Sequence, residues 1–224
     1  MIPNEFTGRT FLIQCGSQQG TAFTYDRGGR QYIVTARHLI SELSARTPFL
    51  LSHAGKWLEV PATVVGVGGG EVDIAVLASK GWATRTNGEV FQNNANIVYG
   101  QDVYFLGFPF GMFSDVGEFT SRFPLPFVKK AIMSAMSLGS NEAMYLDGIN
   151  NPGFSGGPVI GKLGAIGPLA IMAVISGYNA ADAKVLHKAN DTGLIVRENT
   201  GLIRAFHIGS AHALIDANPI GEPL

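Results

Sequence analysis

The chain contains a single cysteine, Cys15, so no disulfide can form within it. Charged residues are scarce at 15%, and the formal net charge of −1 leaves no basic field for nucleic acid or anionic lipid. No apolar run approaches the roughly 20 residues of a membrane helix. The opening Met1-Ile2-Pro3-Asn4-Glu5 lacks the basic and apolar regions of a signal peptide. A cytoplasmic protein is expected, with no membrane or nucleic-acid partner, no cofactor and no metal. Cys15 lies in the apolar stretch Phe11–Cys15 and is expected as a buried strand residue, since a free thiol behaves as a small hydrophobe.

Glycine and apolar residues are abundant. The 29 glycines and a hydrophobic content of 46% in 224 residues favour many tight turns around a large core. Short apolar runs broken by Gly, Pro or Asn read as successive strands. They fall at Thr10–Cys15, Thr21–Tyr25, Tyr32–Thr35, Phe49–Ser52, Trp57–Val67 and Ile74–Ala78. After the Asn-rich stretch Thr84–Asn96 come Asp102–Gly107, Val128–Met136, Ala143–Leu146, Pro158–Gly161, Leu169–Gly177, Gly193–Val196 and Leu202–Ile208. Arg37–Leu43 reads as a short helical turn, and Ser210–Ala217 as a helix capped by Ser210 with Leu214 and Ile215 on its apolar face. Two sets of about six strands, divided near Asn93–Asn96 and closed by one helix, form an all-β layout of two barrels or a sandwich.

The segment Asn151-Pro152-Gly153-Phe154-Ser155-Gly156-Gly157-Pro158 has the makings of a nucleophile loop. A serine hydroxyl attacks only where it is exposed and the resulting oxyanion is stabilised. Flanking glycines allow a sharp turn and free the N–H groups of Gly153 and Ser155 to share one small hole. His38 follows the apolar run Tyr32–Thr35 at a turn, and histidine is the side chain best suited to take and return a proton. His53 and His187 fall in polar loops, and His212 on the terminal helix, where solvent exposure is expected. Asp73 opens the apolar strand Ile74–Ala78 and is placed to fix the histidine tautomer.

With these residues the sequence resembles the trypsin-like serine peptidases, most closely the bacterial HtrA (Deg) branch and stand-alone trypsin-like peptidase domains. Gly20-Thr21-Ala22-Phe23, Thr35-Ala36-Arg37-His38, Asp73-Ile74-Ala75-Val76-Leu77 and Gly107-Phe108-Pro109-Phe110-Gly111 carry the resemblance. So do Ala131–Ala135, Asp147–Pro158 and Ala205-Phe206-His207-Ile208. It implies two perpendicular six-stranded β-barrels with a short C-terminal helix, spanning residues 1–224 as one peptidase domain. The N-terminal barrel is expected at about 8–92, the C-terminal barrel at about 97–208 and the helix at about 210–217. It also implies a serine endopeptidase acting on polypeptide, with Ser155 as nucleophile, His38 as base, Asp73 orienting it and Gly153 and Ser155 forming the oxyanion hole. A silent binding module on the same fold, or an acyl-transfer enzyme acting on esters, would use the same chain order.

Two departures bear on this expectation. Phe154 stands where the family carries Asn or Asp, which argues against activation by pairing with a newly cut N-terminus and suggests that the ring wedges the loop by packing. No PDZ domain is expected after the helix. By resemblance the substrate pocket draws on Ile149, Asn150, Asn179, Ala180, Ala205 and His207. No acidic residue falls at its floor, where Ile149 sits, so an apolar side chain is expected there rather than Lys or Arg. His207 leaves open an acidic or amide side chain instead.

Overall fold

The computed structural model describes residues 2–81, 84, 98–120, 123–137, 143–164 and 166–224. The expected division near Asn93–Asn96 and the Asn87-Gly88 turn lie outside these residues. A short helix, α1 (Asn4–Thr7), precedes the first sheet, which is built from β1 (Thr10–Cys15), β2 (Gln18–Arg27), β3 (Arg30–Thr35), β4 (Phe49–His53), β5 (Lys56–Glu59), β6 (Ala62–Val67) and β7 (Ala75–Ser79). The second contains β8 (Asp102–Gly107), β9 (Phe127–Met136), β10 (Ala143–Asp147), β11 (Pro158–Lys162), β12 (Leu169–His187) and β13 (Asn190–His207). Helix α2 (Gly209–Ala217) follows, and β14 (Glu222–Pro223) returns to pair with β3. No described helix is long and apolar enough to cross a membrane.

The second sheet is a closed six-stranded barrel in the order β10-β13-β12-β11-β8-β9. The first runs β5-β4-β1-β2-β3-β7-β6. Its end strands, β5 and β6, are separated only by Val60 and Pro61, so one kinked run serves both edges and wraps the sheet into a ring. The sequence pattern reads Trp57–Val67 as one strand. Pro61, which has no N–H for a ladder, explains why it is two.

Each barrel has its own apolar interior. Phe11, Ile13, Ile33, Phe49 and Leu77 fill the first, and Phe105, Met133, Leu146, Phe154 and Ile175 the second. A third cluster joins them: Phe23, Val34, Ile74 and Val76 meet Leu106, Ile160, Val174 and Phe206, with Ile215 of α2 packed alongside. Strands β3, β7, β11 and β12 therefore share one core.

Two elements differ from the sequence pattern. Helix α2 begins at Gly209 with no side-chain cap. The Gly209 N–H goes to His207 Nδ1 at 3.1 Å, so the histidine does the work expected of Ser210. The strand expected to stop at Gly177 continues to His187, and the segments Gly193–Val196 and Leu202–Ile208 are one strand, β13. Beyond Tyr178 the pair leaves the barrel as a hairpin exposed on both faces, so no alternation of apolar and polar residues marks it. Lys188 and Ala189 make its turn with φ of 47° and 67°, the left-handed pair that a two-residue hairpin loop needs.

Candidate active site

The register Thr35↔Ala75 lays the end of β3 beside the start of β7, bringing the turn that carries His38 against the loop that carries Asp73. Arg37 fixes that loop: its guanidinium donates to the carbonyls of Gly68 and Gly70 at 2.6 and 3.0 Å. Asp73 then takes three hydrogen bonds. The His38 backbone N–H reaches Oδ1 at 2.9 Å, His38 Nδ1 reaches Oδ2 at 2.7 Å, and the Ser176 hydroxyl donates to Oδ2 at 2.7 Å. Burial alone would raise the Asp73 pKa, but the bonds from His38 and Ser176 outweigh it and hold the carboxyl below its ordinary value. An ionised Asp73 accepts only, so Nδ1 of His38 carries the hydrogen, and a neutral ring leaves Nε2 as the bare acceptor. The Asp73 side chain is 14% exposed and that of His38 44%, so the acid is sheltered while the ring faces solvent.

Ser155 belongs to the turn between β10 and β11. Its hydroxyl donates to the Ser176 carbonyl at 2.8 Å. Ser176 therefore touches Asp73 with its side chain and Ser155 with its backbone. The turn is held on several sides. The Thr21 N–H donates to the Ser155 carbonyl at 2.8 Å, the Thr21 hydroxyl to the Gly153 carbonyl at 2.7 Å, and the Phe110 N–H to the Pro152 carbonyl at 2.8 Å. Gly153 has φ of +103°, and a Cβ there would sit 2.1 Å from the Phe108 carbonyl oxygen, so only glycine fits. The N–H groups of Phe154, Gly156 and Gly157 are bonded to Asn151, Ile175 and Phe154 carbonyls, whereas those of Gly153 and Ser155 have no acceptor among the described residues.

Phe154 is fully buried, edge-on to Phe105 with ring centroids 4.9 Å apart. The Lys129 ammonium lies 5.7 Å from the Phe154 ring centre, donates to the Ile149 carbonyl and reaches Asn151 Oδ1 at 3.1 Å. Partial burial lowers the Lys129 pKa. A cation and an aromatic wedge thus support the loop from below, and the ring fills the space by packing.

The remaining expected site residues are spread around this centre. Ile149 is 52% exposed, while Asn150 is buried with its Oδ1 unpartnered and its carbonyl bonded by Asn199 Nδ2 at 2.6 Å. Asn179 and Ala180 follow Ser176 on β12. Ala205 is buried in the second-barrel cluster, and His207 is half-buried with its Nδ1 committed to Gly209. Cys15 is buried, its thiol pKa raised by burial and by Glu42. His212 departs from the expected exposed position: it is half-buried on α2, with the Tyr25 hydroxyl 2.7 Å from its Nε2. Its side of the helix faces the core beneath β2.

Ser176, Lys129 and the hydroxyl of Thr21 escaped the sequence reading. Ser176 had one visible sign, a polar residue closing the apolar run Leu169–Ile175. Lys129 had none, since its partners, the Ile149 carbonyl and the Asn151 side chain, lie some twenty residues away.

The sequence matches the family described as "Trypsin-like peptidase domain" over residues 20–166. The chain belongs to this family. Solved structures of similar fold include the Rv3671c protease from M. tuberculosis in its active form, with a TM-score of 0.64 and 15% identity over 99% of this chain and 85% of that one. The serine endoprotease from Yersinia pestis gives 0.60 and 19% over 97% and 67%, and Deg5 gives 0.59 and 19% over 94% and 88%. No curated protein sequence matches the chain. In this chain the fully apolar Phe154, directly before the serine, leaves support of the loop to packing on Phe105 and to Lys129.

Proposed function

We propose that this trypsin-like domain is a serine endopeptidase that cleaves polypeptides through an acyl-enzyme on Ser155. The observation that carries the reading is the 2.7 Å bond from His38 Nδ1 to Asp73, with Ser155 held to the same acid through Ser176. For attack, the Ser155 hydroxyl turns from the Ser176 carbonyl to His38 Nε2, which takes its proton as the oxygen adds to the scissile carbonyl. The imidazolium is stabilised by Asp73 and returns the proton to the leaving amine. Water then repeats the sequence on the ester, with His38 as base, and releases the acid. The unclaimed N–H groups of Gly153 and Ser155 supply the oxyanion donors.

Ile149, Asn150, Asn179, Ala180, Ala205 and His207 are proposed to border the pocket for the residue before the cut. With no carboxylate among them, a neutral side chain is favoured. His207 is held at Nδ1 by the start of α2, which limits its freedom to turn toward a substrate acid.

The test is labelling with a fluorophosphonate together with cleavage of a peptide library. Labelling that disappears in Ser155→Ala, with cleavage lost in parallel, supports the reading. Labelling retained in Ser155→Ala, or a labelled protein that cleaves esters but no peptide, overturns it.

A further inference from the structure

We propose that a cavity at the far end of the second barrel from Ser155 is a separate binding site, which takes the C-terminal carboxylate of a peptide ending in an apolar residue. The inference stands apart from the peptidase reading. The cavity measures about 520 Å³, the size of a small-ligand site, and lies where the starts of β8 and β12 meet the end of β11. Strand β8 runs from Asp102 in the cavity lining to Gly107, which lies against Phe154. Five steps along a strand span about 17 Å, so the cavity and the nucleophile loop stand at opposite ends of the same strands.

The charges of the lining select an anion. Asp102 is neutralised by Lys130 at 2.8 Å, whereas Lys162 meets no acceptor among the described residues. Gly164, in the turn after β11 with φ of +68°, lines the cavity with backbone alone, and its N–H has no acceptor among the described residues either. An ammonium and a free turn amide two residues apart make a donor pair for a carboxylate. One uncommitted cation matches a single negative charge rather than a phosphate. The other walls choose what carries that charge. Val98, Leu169 and the rings of Tyr99 and Tyr104 are apolar surface, and Leu169 continues into the core shared by the two barrels. Gln101 also lines the cavity. Its Nε2 is spent on Met172 Sδ at 3.3 Å, and its Oε1 is buried without a donor. A leftover acceptor suits an amide N–H, which the last peptide bond of a chain provides and a simple apolar acid lacks.

The experiment uses the full chain with Ser155→Ala and the fluorescein-labelled peptide Gly-Ser-Gly-Ser-Gly-Leu, with its C-terminus either free or capped as an amide. Binding is followed by anisotropy at low salt. The free acid should bind about tenfold more tightly than the amide. Lys162→Met should remove that difference and Lys162→Arg should keep it; both change an exposed side chain, so the fold is preserved. Amide NMR of the Ser155→Ala chain places the ligand: the free acid should shift the Gly164 and Gln101 signals and leave Gly153 and Gly156 unmoved. Isocaproate, which has the apolar tail and the carboxylate but no amide N–H, should compete at least about tenfold less well than the peptide. Equal affinity for acid and amide overturns the proposal. So does a preference for the acid that survives in Lys162→Met, or shifts centred on Gly153, because the carboxylate then sits in the loop of Ser155. Isocaproate competing as well as the peptide also overturns it, since the occupant is then a simple acid.

Discussion

The ammonium of Lys129 stands 5.7 Å from the centre of the Phe154 ring and donates to the carbonyl of Ile149, joining β9 to the loop that carries Ser155. A buried carboxylate before the serine would need a cation of its own. Here the wedge is neutral, and the cation instead holds backbone and Asn151. Lys129→Met keeps the length and packing of the stem but loses the donors. We expect kcat to fall about tenfold, about 1.4 kcal/mol in the barrier, with KM little changed. Lys129→Arg should restore part of it. Equal losses from both variants, or a change in KM alone, would remove Lys129 from loop positioning.

Phe154 itself makes a separate prediction about stability. Its ring is fully buried against Phe105, and a Cβ on Gly107 would meet it at 2.6 Å. Phe154→Ala opens a cavity under the loop and should cost about 3–5 kcal/mol in urea unfolding. Gly107→Ala should also destabilise, because that Cβ would lie 2.8 Å from Thr21 Oγ1 as well. A loss below about 1 kcal/mol for Phe154→Ala would mean that the loop collapses freely and the ring is not its support.

How far this site could be read in advance depended on the kind of contact. Asp73 opens an apolar run, His38 stands at the turn just after one, and Ser155 lies in a glycine-rich loop just before one, so their chemistry shows against a simple background. Strand β1 was legible to the residue, because its buried stretch Phe11-Leu12-Ile13 and Cys15 leave an apolar signal bounded by the turn at Gly16. The hairpin beyond Tyr178 was not, since neither face is buried and periodicity reports burial rather than hydrogen bonding. Ser176 meets Asp73 and Ser155, and Lys129 meets Ile149 and Asn151, across distances in sequence that the fold closes and no local pattern records. The cap from His207 in place of Ser210 was hidden for a different reason: the acceptor lies two residues before Gly209, at the end of the preceding strand, where a cap is not looked for.

Thr21 connects the two barrels through a single hydroxyl, which donates to the Gly153 carbonyl at 2.7 Å and accepts from the Phe108 N–H at 3.3 Å. Thr21→Val keeps the shape and leaves a carbonyl and an amide without partners. The expected cost is about 1–3 kcal/mol of unfolding free energy. Because Gly153 is the freed residue, kcat should fall while Ser155 still labels slowly with a fluorophosphonate. Thr21→Ser should behave like the parent. Parent-like kcat and stability in Thr21→Val would show that the bond is dispensable.

The acid end of the site can be tested in two steps. Asp73→Asn replaces an acceptor of the Nδ1 proton with a group that can donate, favouring the other tautomer of His38. The expected loss is about 10⁴-fold in kcat. Ser176→Ala removes one donor to Asp73 but leaves the carbonyl that faces Ser155, so a far smaller loss is expected. The depressed Asp73 pKa should also rise in Ser176→Ala, because a hydrogen bond to the charged form is gone. Equal losses from the two variants would mean that the Ser176 hydroxyl, rather than the carboxylate, sets the tautomer.

His212 gives the protein a dependence of stability on pH that is separate from its activity. Burial lowers its pKa to about 4, with the positive charges of Arg27 and His207 adding to the effect and Asp216 opposing it. Tyr25, pushed up to about 12 by burial, stays protonated, with its hydroxyl 2.7 Å from Nε2. Above the unfolded value near 6.5 the ring is neutral in both states, and full stability is present. As the pH falls from 6.5 to 4, the unfolded chain takes up a proton that the folded one refuses, so stability drops through this window and levels off below it. Because the ring is partly exposed, screening reduces the loss to about 1–2 kcal/mol. Urea unfolding at pH 7 and pH 4.5 should show the difference, and His212→Gln should flatten it while leaving fluorophosphonate labelling of Ser155 unchanged. An equal slope in the variant would move the titration to another group.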